Sequence, residues 1–190
     1  MQLLTDIQQC NLCKQYLPFA PNPVFQYSTQ AKIIIIGQAP GVKAHESNKA
    51  WNDASGERLR NWLGVDASLF YDPAVFALVP MGFCYPGKGK SGDLAPRPEC
   101  SQQWHAALLS KAKQVKLKIL IGSYAQSYYL KEKQKPTLTE TVKAFQLYLP
   151  EYMVLPHPSP RNNIWLKKNK WFEEELLPVL KEQIEKILDK

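Results

Sequence analysis

Short apolar runs recur along the chain, separated by amphipathic stretches. Lys32–Gly37 holds four successive isoleucines stopped by a glycine. Unbroken apolarity over so few residues predicts a strand buried on both faces. Val75–Val79, Leu117–Gly122 and Tyr152–Leu155 read the same way. Between them the period lengthens. Ser55–Leu63 sets Leu59, Trp62 and Leu63 on one helical face, with Ser55 placed to cap it. Cys100–Val115, Ser123–Lys131 and Thr137–Gln146 read as further helices. Trp171–Asp189 predicts a long C-terminal helix striped by Leu176, Leu177, Leu180, Ile184, Ile187 and Leu188. Met1–Lys14 has room for a short helix ending near Cys13. Gln15–Thr29, Gly37–Ser55 and Pro80–Glu99 read as loops. No internal repeat is visible.

Strands alternating with helices predict an α/β fold, a parallel sheet with helices on both faces. Ligands of such folds bind beyond the carboxyl ends of the strands. Gly37–Gly41, Pro80–Cys84 and Pro156–Asn163 each follow a strand, so they are the expected walls of a site.

Composition bounds this picture. With 190 residues, 45% apolar and 22% charged, the chain fits one globular domain over 1–190 and excludes wholesale disorder. No apolar run is long enough to cross a bilayer, and the first nine residues lack the pattern of a secretory signal. The expectation is a cytoplasmic monomer. Lys and Arg outnumber Asp and Glu by 24 to 17, which favours an anionic partner, nucleic acid first. The useful excess is local. Tyr152–Phe172 contains no carboxylate, yet it carries Arg161, Lys167, Lys168 and Lys170 beside Trp165 and Trp171. That pattern suits contact with a phosphate backbone.

Three motifs carry candidate chemistry. In Gly37-Gln38-Ala39-Pro40-Gly41, glycines at both ends of a turn let backbone N–H groups approach a ligand. In Pro156-His157-Pro158-Ser159-Pro160-Arg161-Asn162-Asn163, the prolines fix the backbone around an imidazole. The cysteines fall as Cys10-x2-Cys13 and Cys84-x15-Cys100. In a chain without a secretory signal, such pairs point to structural zinc or an iron–sulfur cluster before disulfides. A fourth segment, Gly82 to Gly89, nearly matches a phosphate-binding loop. It has Gly89 where a magnesium-binding hydroxyl is required, so an ATPase is set aside. Tyr124, Tyr128 and Tyr129 lie near the start of a helix after a strand, placed to line a groove, although an aromatic helix face is more often core.

Together these residues resemble the uracil-DNA glycosylase superfamily over most of the chain. Gly37–Gly41 is similar to the first active-site motif in its GxAPG, thermophile-type (family 4) form. Pro156–Asn163 is similar to the second motif of the single-strand-selective monofunctional branch. The resemblance implies a three-layer α/β sandwich around a four-stranded parallel sheet. It implies a monofunctional DNA glycosylase that hydrolyses the N-glycosidic bond of a flipped deaminated base, uracil foremost, in base excision repair. The alternative is a catalytically impaired module of the same superfamily that recognises damaged DNA. By resemblance His157 is catalytic, and Gly37, Gln38, Ala39, Pro40 and Gly41 hold water and the base edge. Aligned on Ser55-Gly56, Trp51 falls where the family stacks an aromatic ring on the base. Ser159, Arg161, Asn162, Lys167 and Lys168 would grip DNA, with Ile164 or Trp165 as a wedge. Cys10, Cys13, Cys84 and Cys100 would hold a [4Fe–4S] cluster. Two positions depart from the pattern. Gln38 stands where family 4 carries a Glu, which leaves three alternatives: Glu46, Asp53, or no general base at all. Pro80 stands where the family carries a uracil-reading Asn.

Overall fold

The computed structural model describes residues 2–188. Met1, Asp189 and Lys190, which the predicted terminal helices and the predicted 1–190 domain include, lie outside the described residues. Four parallel strands form the central sheet: β1 (Ile33–Ile36), β2 (Phe76–Leu78), β5 (Leu117–Ile121) and β6 (Tyr152–Leu155), in the order β2-β1-β5-β6. Ile33 pairs with Phe76 on one side and Leu117 on the other, and Lys118 pairs with Tyr152. All four isoleucines of β1 are fully buried, as expected of a central strand covered on both faces. Each such side chain contributes about 1.5–3 kcal/mol.

Helices cover the sheet: α1 (Gln2–Gln8), α2 (Val42–Ser47), α3 (Ala54–Leu63), α4 (Ala67–Phe70), α5 (Pro98–Lys111), α6 (Gly122–Leu130), α7 (Leu138–Lys143), α8 (Asn163–Lys168) and α9 (Leu177–Leu188). This is the three-layer α/β arrangement with a four-stranded parallel sheet that the alternation predicts. Helix α9 packs on α3 through Leu177, Leu180 and Ile184, and Phe172 meets Trp62 edge-on at 4.8 Å. A wider π turn, Phe172–Leu176, leads into it, so the predicted stripe is present but not on one continuous α-helix. Among the described residues no helix is long and apolar enough to cross a membrane.

Three predictions need correction. Ser55 does not cap α3. The cap is Asp53, whose carboxylate accepts the Gly56 N–H at 2.9 Å, and Ser55 is buried as the second residue of the helix. Gly37–Ser55 is not wholly irregular, because α2 starts directly after Gly41. The Pro80–Glu99 loop contains an antiparallel hairpin, β3 (Lys88–Gly89) with β4 (Gly92–Asp93). One buried amide fixes the end of the sheet. Gln126 donates to the Leu155 carbonyl at 2.9 Å, at the last residue of β6 before the histidine motif.

Candidate active site

Two walls of the cleft extend strands. Past β1, the Gly37 and Gln38 carbonyls accept the N–H groups of Met81 and Gly82 at 2.9 and 3.0 Å, so this turn stays locked to the chain leaving β2. A Cβ on Gly37 would stand 2.7 Å from the Trp51 ring, so only glycine lets the indole lie over this turn. Trp51 has φ 57°, in the left-handed region that a bulky residue rarely enters. Such a conformation costs about 1–3 kcal/mol and persists only where surroundings over-determine it. They do here. The Trp51 carbonyl accepts from Tyr71 Oη at 3.2 Å and Arg60 Nη1 at 3.4 Å, and a Cβ on Gly56 would overlap that same oxygen.

His157 follows β6 and faces this indole, with ring centroids 5.7 Å apart. The Ser159 N–H donates to His157 Nδ1 at 3.2 Å, and Asn162 Nδ2 donates to the His157 carbonyl at 2.7 Å. Arg58 Nη1 donates to the Ser159 carbonyl at 3.2 Å. An amide that donates to Nδ1 requires a lone pair there, so the ring proton sits on Nε2. Burial lowers the His157 pKa, with Asp53 pulling weakly the other way. The imidazole is therefore neutral near pH 7, with one N–H left to donate.

Between the walls lies a cavity of about 470 Å³. Gly37, Gln38, Ala39, Pro40, Gly41, Trp51, Asp53, Pro80, His157, Ser159, Arg161 and Asn162 all line it, so sequence separated by 120 residues converges on one space. Glu46 does not line it; that side chain is exposed on α2. Ile164, Trp165, Lys167 and Lys168 stand beyond the cleft on α8. Ile164 projects, with 70% of its surface exposed. Trp165 turns inward, where Nε1 donates to Thr139 Oγ1 at 2.8 Å and the ring meets Trp171 and Phe172. The Pro80 carbonyl is already engaged by His105 Nε2 at 2.9 Å. A carbonyl oxygen can only accept, so Nε2 carries the proton and His105 Nδ1 accepts a hydrogen bond from the Tyr129 hydroxyl at 2.6 Å. Burial drives the His105 pKa down to about 4.

Sequence reasoning missed Ser91, Gly92 and Asp93, which also line the cleft from the hairpin. The available signal was Gly89-Lys-Ser-Gly92, a two-residue turn between short polar strands.

The cysteines meet elsewhere. All four free thiols line one small apolar cavity with Ile7, Leu12, Leu17, Phe83 and Trp104. Burial raises Cys84 to about 11 and Cys100 to about 12, and Cys13 rises for the same first cause. The Phe83 N–H donates to Cys100 Sγ at 3.3 Å. Among the described residues no three His, Cys, Asp or Glu side chains form a site for a single metal ion. A donor set of thiols alone suits iron–sulfur ligation, where each sulfur takes its own iron. The cavity's volume is about 20 Å³, so the thiols would have to swing outwards to admit a cluster.

A parallel α/β sheet with a polar cleft at its carboxyl ends, floored by an indole and faced by a neutral imidazole, has the shape and chemistry to receive a flat polar ligand. The sequence model of the Uracil DNA glycosylase superfamily matches residues 24–181, and the chain belongs to that superfamily. Its fold is similar to the solution NMR structure of a candidate uracil DNA glycosylase from Methanosarcina acetivorans. The TM-score is 0.52 at 14% identity, over 83% of this chain and 93% of that one.

Proposed function

We propose that this protein is a monofunctional DNA glycosylase acting on a deaminated base, uracil foremost, in base excision repair. The observation that carries the reading is His157. The Ser159 amide holds its neutral tautomer with Nε2–H directed away from the loop. In this reading the target base leaves the helix and stacks on Trp51. As the glycosidic bond breaks, its electron pair moves onto the base, and the Nε2–H donates to the carbonyl oxygen where that charge collects. A neutral donor suits this role, because it stabilises the anion without transferring its proton. Water then completes the hydrolysis at the sugar. Among the described residues no lysine lines the cleft, and the reading assigns no covalent lyase step. The protein acts as a cytoplasmic monomer on DNA, with Lys167 and Lys168 on the phosphates.

The four cysteines would hold a [4Fe–4S] cluster. Its contribution would be structural, tying the N-terminal segment to the loop that carries Cys84 and to the start of α5, which carries Cys100. Iron and sulfide analysis of anaerobically purified protein tests this.

The glycosylase reading is tested by base release from single- and double-stranded oligonucleotides containing uracil, hypoxanthine or xanthine. Release from at least one, abolished by His157→Ala, is the expected outcome. A catalytically impaired recognition module, which Gln38 favours, predicts salt-sensitive DNA binding with no release.

A further inference from the structure

We infer that Asp93, carried into the cleft by the β3–β4 hairpin, is the catalytic carboxylate that orients and deprotonates the attacking water. The inference rests on the glycosylase reading and assigns the step which that reading leaves open.

Elimination comes first. Gln38 has no acidic proton site, and its side-chain amide is committed, donating from Nε2 to the Leu94 carbonyl at 3.1 Å. Asp53 lines the cleft, but its Oδ1 accepts the Gly56 N–H as the cap of α3. Glu46 is outside the cleft. Asp93 is the other carboxylate among the described lining residues, and neither of its oxygens accepts a hydrogen bond from a described residue, whereas one oxygen of Asp53 is spent on the cap.

The placement of Asp93 is built, not incidental. Both active-site motifs grip the hairpin, one on each side of this residue. From the histidine motif, Arg161 Nη1 donates to the Ser91 carbonyl at 2.6 Å. From the glycine motif, Gln38 donates to the Leu94 carbonyl. Gly92 makes the first grip feasible. It has φ 150°, and a Cβ there would stand 2.5 Å from Arg161 Nη1. So held, Asp93 Oδ2 lies over the glycine motif, 3.5 Å from where a Cβ on Gly41 would stand. Arg161, which by its cation-rich neighbourhood reads as a phosphate contact, is in this arrangement a positioning residue for Asp93.

The charged groups facing Asp93 come from each element around it. Desolvation raises its pKa first, Arg161 from the histidine motif lowers it, Asp53 from the start of α3 raises it, and Lys88 on the paired strand lowers it. Tyr85 also feels its charge. The net rise makes Asp93 a better proton acceptor than an ordinary surface aspartate. The step balances without a further reagent. The C1′–N bond breaks with its pair on the base, and the water oxygen bonds to C1′. The water's proton passes to Asp93, then through solvent to the departing base anion.

The test is single-turnover release across pH from the oligonucleotide panel above, with labelled uracil-containing oligonucleotide as the binding probe. Asp93→Asn is expected to lower the rate about 100-fold or more, to leave affinity and thermal melting unchanged, and to remove the rise in rate as Asp93 ionises. Asp93→Ala with added formate is expected to recover part of the rate, which a purely structural role would not permit. Arg161→Lys, which keeps the charge but loses the fork, is expected to shift the pH profile. Wild-type rate and pH profile in Asp93→Asn would overturn the inference alone. So would loss of the acid limb in Asp53→Asn but not in Asp93→Asn. A wild-type chain inert on all three bases would overturn the glycosylase reading, and this inference with it.

Discussion

One loop, Pro80 to Glu99, builds two unlike sites. It delivers Cys84 to an apolar cavity, which Cys100 enters from the first turn of α5, and its middle delivers Ser91, Gly92 and Asp93 to the polar cleft. In the cleft, functional groups are held by specific partners: a backbone amide fixes the His157 tautomer, and two motifs clasp the hairpin. In the cysteine cavity, burial keeps the thiols protonated, with pKa values of about 11 and 12 for Cys84 and Cys100. The contrast is between polar groups held in place by specific hydrogen bonds and thiols kept protonated by burial, which would ionise only on binding a metal or cluster. The two should therefore respond differently to mutation and to pH.

The largest effect should come from the organised site. In the proposed glycosylase reaction His157→Ala removes the Nε2–H donor that meets the developing charge, and the loss of such a donor lowers rates about 100- to 1,000-fold. Single-turnover base release measures it, and equal DNA binding by the variant shows that the loss is chemical. If Cys100→Ala produced the same loss without unfolding, the two sites would not be separable in this way.

Next comes acid stability, which probes the wall between the sites. His105 has a folded pKa of about 4, against about 6.5 when unfolded. A lowered histidine pKa means that the unfolded chain takes up the proton first. Stability is therefore intact above about pH 6.5 and falls as pH drops towards 4, by about 3 kcal/mol from this group. His157, also lowered, acts in the same sense, while Asp93, raised, opposes it. Urea unfolding across this range should show the decline. His105→Gln should flatten it, while lowering stability near neutral pH because the Pro80 and Tyr129 partners change.

Gly56→Ala should act on the cleft by steric means. Its Cβ overlaps the Trp51 carbonyl, and the backbone there cannot move without releasing a left-handed tryptophan. A destabilisation of about 2–3 kcal/mol in denaturant unfolding is expected. Gly41→Ala, with 3.5 Å of clearance from Asp93, should cost far less stability.

These cases show what a sequence exposes. The four strands were legible because unbroken apolar runs such as Ile33–Ile36 have little alternative to a doubly covered sheet. The glycine and histidine motifs were legible because each follows such a strand. Asp53 as a cap was not, since Ser55 has equal propensity and only the hydrogen bond to Gly56 decides. The hairpin was not legible because its strands are two residues long and distant side chains hold it, Arg161 among them. The engagement of Pro80 by His105 was hidden for the same reason, a contact 25 residues apart between a buried imidazole and a carbonyl.

The smallest effect separates two residues that sequence alone treats alike. Ile164 and Trp165 are adjacent on α8, and either could enter a vacated base stack. Trp165 is spent on the interior, bonded to Thr139 and packed on Phe172, so its loss should register as lower thermal stability on every substrate. Ile164 is 70% exposed and is not among the described residues that pack against the core. A wedge matters only where there is a stack to open, at a few kcal/mol per step. Ile164→Ala should therefore slow release from duplex by roughly ten-fold or less, and leave single-stranded release and melting temperature unchanged. Equal slowing on both substrates would move Ile164 from wedge to general DNA contact, and would leave base extrusion to the cleft itself.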